Sequence, residues 1–242
     1  YVFRAAFGQR TSFPKLARYI NAKSKKLAVI FVNNDFGKGG QTTIKQLLQG
    51  SATQIVAEVS TESGQVDFSA ALIQSKQSGE DAVFAYTNEE ESARLLRELK
   101  KQGWNKPVIG ETVLTSAKVV ELAGEAANGA VAHVGLTVEA PQLQDFGKKY
   151  LAAYSSGSDH NGVKGYTGMY VLKAAIEKAG KLDRKAVAAA IRNSCFSAKQ
   201  NPGVLMDVCF DDKGDIDRES FMVEVRNGKT VVAETLPPLG KK

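Results

Sequence analysis

The stretch that decides the fold is KKLAVIFVNNDFGKGGQTTIKQLLQ, residues Lys25 to Gln49. It joins an aliphatic run over 27–32 to a short polar turn and then to a segment in which Ile44, Leu47 and Leu48 share one helical face. A buried strand followed by a helix is the building unit of α/β sheets. In open sheets of this kind ligands lie outside the carboxyl ends of the strands. The stretch therefore predicts an α/β fold and a first candidate site after the strand.

Phe36 is the aromatic residue that follows this strand. It either contacts a ligand at the mouth of the sheet or closes the core over the strand end, and the segment alone leaves both interpretations open. Asn33, Asn34 and Asp35 are ordinary turn formers, and Asp35 is a candidate cap for the helix that follows.

Strands and helices alternate through the first half of the chain, which predicts a parallel sheet wrapped by helices with right-handed crossovers. The predicted strands cover 27–32, 55–59, 82–86, 107–110 and 130–136, and the predicted helices cover 14–22, 38–49, 68–77 and 89–102.

After residue 136 the pattern changes to three amphipathic helices, predicted over 142–155, 165–179 and 184–192. These helices need an apolar surface to cover, and the segment supplies no sheet of its own. Strands predicted over 204–210, 221–226 and 230–233 close the chain, with Asn227-Gly228 as a hairpin turn.

The charge pattern argues against a nucleic-acid surface. The 32 Lys and Arg exceed the 26 Asp and Glu by six, but the basic residues are scattered rather than clustered into a stripe.

No run approaches the roughly 20 apolar residues that span a bilayer. The chain opens on Tyr1-Val2-Phe3-Arg4 rather than on Met, so we expect that a preceding segment has been removed.

Cys195 and Cys209 are the two cysteines, and neither belongs to a metal-binding motif. His133 and His160 lie far from both in sequence. A disulfide between the cysteines would contribute about 3 kcal/mol in the chain-entropy model, and two buried free thiols are the equal alternative.

Six motifs taken together resemble the type I periplasmic solute-binding proteins of ABC transporters, specifically the leucine/isoleucine/valine-binding group and its relatives for amides and aromatic acids. Their order and spacing cover nearly the whole chain. The motifs are Phe3-Arg4, Asp35-Phe36-Gly37, Asp67-Phe68-Ser69, Gly124-Glu125-Ala126-Ala127-Asn128-Gly129, Gly165-Tyr166 and Phe210-Asp211-Asp212-Lys213-Gly214-Asp215.

The resemblance implies the periplasmic-binding-protein type I fold: doubly wound parallel sheets in two lobes joined by hinge crossovers, with the solute in the cleft. On that plan residues 1–137 and 218–242 form the second lobe, and 138–217 supply only the later helices of an incomplete first lobe. The expectation is an N-terminally incomplete chain, whose signal peptide would lie in the missing part.

The resemblance also implies ligand contacts. Gln9, Phe36, Asn88 and Thr112 fall where the branched-chain binders place side chains from the second lobe, and Tyr166 opens a helix that borders the cleft. Asn88 replaces an aromatic residue, and Thr112 replaces the carboxylate that would pair with an ammonium group. Glu111, the residue before Thr112, could supply the missing carboxylate. Neighbouring residues on an extended segment, however, point to opposite sides. An α-amino acid ligand is therefore doubtful, because a buried ammonium without a charged partner is costly.

The expected function is capture of a small organic solute (amino acid, amide, or aromatic or carboxylic acid) by hinge closure, and its delivery to a membrane ABC permease. The family further implies a periplasmic, exported protein, monomeric when full length, with a Cys195–Cys209 disulfide. We expect no cofactor, no metal, no nucleic acid and no catalytic residues, since the acidic and hydroxyl residues form no nucleophile–base set and Gly37-Lys38-Gly39-Gly40 lacks the phosphate-loop pattern. The alternatives are a ligand-sensing domain of a receptor or regulator with the same fold, or an enzyme on a doubly wound sheet.

Overall fold

The computed structural model describes residues 1–240 of the 242-residue chain. It is a mixed α/β structure with eight α-helices, ten strands and four short 3-10 helices among the described residues. The helices are α1 (Gln9–Lys23), α2 (Asp35–Leu48), α3 (Ser69–Lys76), α4 (Glu89–Lys101), α5 (Ala117–Ala123), α6 (Gln144–Tyr154), α7 (His160–Ala179) and α8 (Arg184–Ile191). The strands are β1 (Lys26–Val32), β2 (Gln54–Thr61), β3 (Ala82–Tyr86), β4 (Val108–Glu111), β5 (Ala130–Val134), β6 (Cys195–Phe196), β7 (Val208–Phe210), β8 (Ile216–Asp217), β9 (Ser220–Arg226) and β10 (Lys229–Leu236). The 3-10 helices are Thr112–Thr115, Gly124–Ala127, Pro141–Leu143 and Pro202–Val204.

Seven strands form one sheet in the order β10-β9-β5-β4-β3-β1-β2. The pairs β1–β2, β1–β3, β3–β4 and β4–β5 are all parallel, as the alternation of strands and helices predicts. Every residue of β3 is buried, which is typical of a central strand covered by helices on both faces. The parallel α/β sheet is therefore confirmed.

The chain divides into two compact units. Unit 2 comprises Phe13–Val134 and Met222–Glu234, and unit 1 comprises Tyr1–Ser12, Gly135–Phe221 and residues 235–240. The resemblance implies that both ends of the chain belong to the second lobe, whereas this division groups them with the middle segment.

Contacts within unit 1 explain this difference. The Arg4 guanidinium forms an ion pair with the buried Asp215 carboxylate, and the Arg4 amide donates to the Gly214 carbonyl oxygen at 2.9 Å. Near the other end, the Gly240 amide donates to the Asp217 carboxylate at 3.1 Å. Both ends are thus tied to the segment around β8, and a sequence pattern gives no sign of such long-range contacts.

Unit 1 has a small sheet in the order β6-β7-β8, which follows the three helices, so 138–217 supply short strands as well as the later helices that the resemblance implies. The strands hold only two or three residues each, too short for a period of two to be visible. The strand predicted over 204–210 is in fact a 3-10 turn followed by β7. Helices α7 and α8 contribute to a buried cluster with these strands: Val171, Ala174, Ala175, Ile191, Phe196, Val204, Val208, Phe210 and Ile216.

Two features of unit 2 concern turns. Asn227 and Gly228 both have positive φ, 50° and 72°, as a tight hairpin between β9 and β10 requires. Trp104 lies in the turn between α4 and β4, with the Lys106 ammonium 5.0 Å from its ring centroid.

Among the described residues, no helix is long and apolar enough to cross a membrane.

Candidate functional site

The candidate site in unit 2 lies where β1, β3 and β4 end. These strands are neighbours in the sheet, and their register pairs Phe31 with Tyr86 and Ala85 with Gly110. Parallel strands end at the same side of a sheet, so the residues that follow them lie along one edge. This edge, called the carboxyl edge below, holds four of the predicted site residues: Phe36, Asn88, Glu111 and Thr112.

Phe36 is part of an aromatic stack that reaches the surface. Its ring lies on the Tyr86 ring with centroids 4.2 Å apart and planes inclined by 21°. Phe36 remains 39% exposed, whereas Tyr86 is 5% exposed. One face of the Phe36 ring therefore covers the core, and the rest of the ring is open to solvent. Contact of this ring with a ligand stays a prediction.

The Tyr86 ring below it is held by close packing. The Phe13 ring meets it edge-on at 5.3 Å, and Phe84 stacks on it at 5.8 Å. Gly40 of α2 lies so close that a Cβ atom there would be 2.2 Å from Tyr86 Cε1. The Tyr86 ring under Phe36 is therefore packed closely by neighbouring groups.

Helix α2 places Phe36 in its first turn. The cap is Asn34, whose Oδ1 accepts a hydrogen bond from the Gly37 amide at 2.9 Å. Asp35, which we had named as a candidate cap, is instead the first residue of the helix.

Asn88 is the cap residue of α4, but its side chain makes no capping hydrogen bond. Its Nδ2 donates to Glu91 Oε1 at 3.3 Å. Glu91 is 4% exposed and also accepts from the Gly64 amide at 2.6 Å. In an ordinary Asn cap, the side-chain oxygen accepts a hydrogen bond from a backbone amide of the helix. In Asn88, by contrast, the side-chain nitrogen faces the Glu91 carboxylate.

Glu91 keeps its charge in spite of its burial. Desolvation raises the pKa of Glu91, but the hydrogen bonds from the Gly64 amide, from its own backbone and from Asn88, with the nearby Arg94 charge, outweigh it. The pKa of Glu91 therefore lies below its ordinary value, and the group is a carboxylate at neutral pH.

Thr112 and Glu111 follow β4. The Thr112 hydroxyl donates to the His133 carbonyl oxygen at 3.2 Å. Glu111 Oε2 accepts from the Thr112 amide at 3.0 Å, and Oε1 lies 3.2 Å from Nδ1 of the fully buried His133. The expectation that Glu111 and Thr112 point apart assumes an extended segment, and this assumption does not hold, because Glu111 caps a 3-10 helix that starts at Thr112.

The other two predicted site residues, Gln9 and Tyr166, belong to unit 1. Gln9 is the first residue of α1, whereas we had assigned it to the second lobe. Tyr166 does not open its helix, because α7 starts six residues earlier behind the Asp159 cap, whose carboxylate accepts from two backbone amides. A hydrogen bond with Tyr170, together with burial, raises the pKa of Tyr166, and its ring packs on Phe146 at 5.0 Å.

The two cysteines form the disulfide that the resemblance implies. Cys195 and Cys209 face each other across β6 and β7, with Cα atoms 4.0 Å apart. Phe196 and Phe210, the residues that follow them, pack edge to face at 6.2 Å. The prediction of a disulfide is confirmed.

Sequence reasoning missed three residues that shape the carboxyl edge: Glu91, Tyr86 and His133. An acidic run such as Glu89-Glu90-Glu91 at the start of a helix does not show which of its carboxylates is buried. The parallel register of β4 and β5, which pairs Glu111 with His133, would have suggested one of these contacts.

Comparisons with known proteins agree on one family. Residues 1–230 match the sequence profile described as "Periplasmic binding protein". The chain is 27% identical over 206 residues to the leucine-, isoleucine-, valine-, threonine- and alanine-binding protein of Pseudomonas aeruginosa, covering 83% of this chain and 53% of that protein. It is 29% identical over 224 residues to the Leu/Ile/Val-binding protein BraC3 of Rhizobium johnstonii, covering 90% and 59%. The chain thus spans between half and three fifths of the length of these relatives.

Solved structures show the same fold. The leucine-binding protein LivK of Thermotoga maritima superposes with a TM-score of 0.85 at 23% identity, over 98% of this chain and 68% of that one. A solute-binding protein of an ABC transporter from R. palustris, in complex with benzoate, gives 0.83 at 20% identity, over 100% and 67%. The profile match covers nearly the whole chain, and the architecture agrees with it, so this chain belongs to the periplasmic binding protein family.

Proposed function

We propose that this chain binds a small organic solute through the carboxyl edge of unit 2, without changing it chemically. The observation that carries the proposal is the exposed Phe36 ring, backed by Tyr86 and flanked at the neighbouring strand ends by Asn88 and Thr112. An apolar surface with a few fixed polar groups beside it is the usual composition of a small-molecule site.

The chemistry of the edge supports binding rather than catalysis. A hydroxyl nucleophile needs a base within hydrogen-bond reach. The Thr112 hydroxyl donates to a backbone carbonyl oxygen, and the imidazole of His133 faces Glu111 instead. Neither contact places a base against the Thr112 hydroxyl, so neither activates that hydroxyl as a nucleophile.

We further propose, from the family and the printed names of its relatives, that the whole protein acts in the periplasm. It would capture its solute by hinge closure and deliver it to an ABC permease in the membrane. The relatives' names point to branched-chain amino acids, and a solved neighbour holds benzoate, so both solute classes belong in a test.

The test is calorimetry on this chain with L-leucine, L-isoleucine, benzoate and 4-hydroxybenzoate. We expect saturable binding of at least one of them, accompanied by a rise in the thermal unfolding midpoint as mass action requires. The absence of both signals for all four solutes would contradict the proposal.

A further inference from the structure

We propose that Asn227, in the hairpin between β9 and β10, is a modification site where the side-chain amide is lost by deamidation, and that the Asn128 side chain slows this reaction. Neither statement depends on the solute. The sequence contains three Asn-Gly pairs, and they differ in what holds the glycine amide. The pairs are Asn128-Gly129, Asn161-Gly162 and Asn227-Gly228.

Deamidation of an Asn-Gly pair needs only the pair itself and water. The backbone nitrogen of the glycine attacks the side-chain carbonyl carbon of the asparagine, so a new nitrogen–carbon bond forms. The bond from that carbon to the side-chain nitrogen breaks, and ammonia leaves with the proton of the glycine nitrogen. Water then opens the succinimide ring to aspartate or isoaspartate. Glycine favours the attack because it has no side chain to obstruct it.

A hydrogen bond from the glycine N–H opposes this reaction, because the nitrogen must give up that proton. In two of the pairs the acceptor belongs to a regular element. The Gly129 amide donates to the Val225 carbonyl oxygen at 2.8 Å, a backbone contact that joins β9 to the residue before β5. The Gly162 amide donates to the Asp159 carboxylate at 2.9 Å in the first turn of α7. These amides are released only when the strand pairing or the helix end opens.

In the third pair, the acceptor is an exposed side chain. The Gly228 amide donates to Asn128 Oδ1 at 3.0 Å, and Asn128 and Asn227 are both exposed. The turn lies outside both strands, and Asn227 has a φ of 50°. A surface side chain turns away more readily than a strand or a helix opens. Asn227 is therefore the asparagine that reacts first, and Asn128 is the positioning residue that holds the attacking nitrogen.

The first experiment incubates the unmodified chain and follows deamidation at the three pairs by peptide mapping with mass spectrometry. We expect Asn227 to deamidate severalfold faster than Asn128 and Asn161 in the same sample. A rate at Asn227 no greater than the rates at the other two would overturn the assignment of the modification site.

Variants test the role of Asn128. Asn128→Ala removes the acceptor, so deamidation of Asn227 should become about fivefold faster, which corresponds to the ~1 kcal/mol that an ordinary hydrogen bond contributes. Asn128→Asp keeps an acceptor oxygen and should restore the slow rate. The matched control is Asn105→Ala, which removes another exposed asparagine of unit 2, in the turn before β4.

Amide hydrogen exchange separates loss of one contact from loosening of the whole hairpin. In Asn128→Ala, the Gly228 amide should exchange faster, whereas the amides of β9 and β10 should keep their rates. Faster exchange along both strands would show that the variant opens the hairpin, and it would reject the role of Asn128. An unchanged deamidation rate of Asn227 in Asn128→Ala, or a fast rate in Asn128→Asp, would reject that role as well.

Discussion

At the scale of single residues, the carboxyl edge is built from side chains that are held by neighbouring residues. Phe36 rests on Tyr86, and Asn88 rests on Glu91. Preorganised contacts of this kind spare a ligand the entropy cost of ordering the site. Changes at these residues should therefore affect binding more than they affect the fold.

Phe36→Ala is the most direct change to the apolar part of the edge. Loss of a large ring from a contact surface costs about 1–3 kcal/mol. The dissociation constant of the solute should therefore rise roughly tenfold or more. Calorimetry measures the change. Leu47→Ala is the control, because Leu47 lies on the same helix and is 37% exposed, close to the value for Phe36. Equal losses of affinity in both variants would show that Phe36 has no special role.

The depressed pKa of Glu91 gives stability a defined dependence on pH. A carboxylate whose pKa is lower in the folded than in the unfolded state stabilises the fold above its unfolded pKa, near the ordinary 4.5, and this contribution is lost as pH falls through the folded value. The difference in unfolding midpoint between the unmodified chain and Glu91→Gln should therefore shrink below about pH 4.5. Thermal unfolding from pH 7 downward measures it, and a difference that stays constant with pH would contradict the assignment.

At the scale of elements, α2 shows how one small residue sets the distance between a helix and the sheet. Gly40→Ala would place a methyl group 2.2 Å from Tyr86 Cε1, and overpacking of this kind costs about 1–3 kcal/mol. Denaturant unfolding should show a lowered midpoint with an unchanged slope. Gly165→Ala is the control, since a Cβ there meets nothing within 4 Å, and a helix-interior glycine replaced by alanine gains about 0.5–1 kcal/mol. A neutral Gly40→Ala would mean that Tyr86 can move freely.

The predicted elements show what a periodic pattern can and cannot reveal. Strands β1 to β5 and β9 were predicted to within two residues at each end, because their apolar residues stand between turn signals, whereas β10 extends three residues beyond the predicted 230–233. The helix predicted from Pro14 starts five residues earlier, at Gln9. Proline favours the first turn of a helix, and that preference misplaced the boundary. The strands β6 and β8 and the helix α5 carried no usable period and were missed.

The candidate site was predictable to a similar degree. Placing residues after β1, β3 and β4 on one edge requires only the parallel order, and the sequence supplies it. The direction of the Asn88 amide depends on a carboxylate three residues along and on a backbone amide 27 residues before that carboxylate. Such contacts arise only when β2 and β3 are in place in the sheet, so no local pattern contains them.

At the scale of the whole molecule, the two units differ in what stabilises them. Unit 2 is organised around a sheet with many fully buried apolar residues. Unit 1 combines a smaller buried cluster with the disulfide between Cys195 and Cys209, which closes a loop with a sequence separation of 14. Small cores depend more on covalent cross-links than large ones do.

Reduction should therefore weaken unit 1 selectively. Loss of a cross-link over a loop of this length removes about 3 kcal/mol in the chain-entropy model. Hydrogen exchange under reducing conditions should show faster exchange in β6, β7 and α8, with little change in β1, β3 and β4. The double variant Cys195→Ala, Cys209→Ala should reproduce the effect without reductant. Equal acceleration in both units would show that they unfold as one cooperative body.

Trp104, in the turn before β4, is the single tryptophan of the chain. Its indole Nε1 is shielded from solvent, and the Lys106 ammonium lies over its ring. Tryptophan fluorescence, excited selectively, therefore comes from unit 2 alone. A red shift of that emission reports that this one turn has become exposed to solvent. Absorbance by the seven tyrosines, by contrast, averages over both units. The protein thus carries an optical label that distinguishes its two halves without any dye.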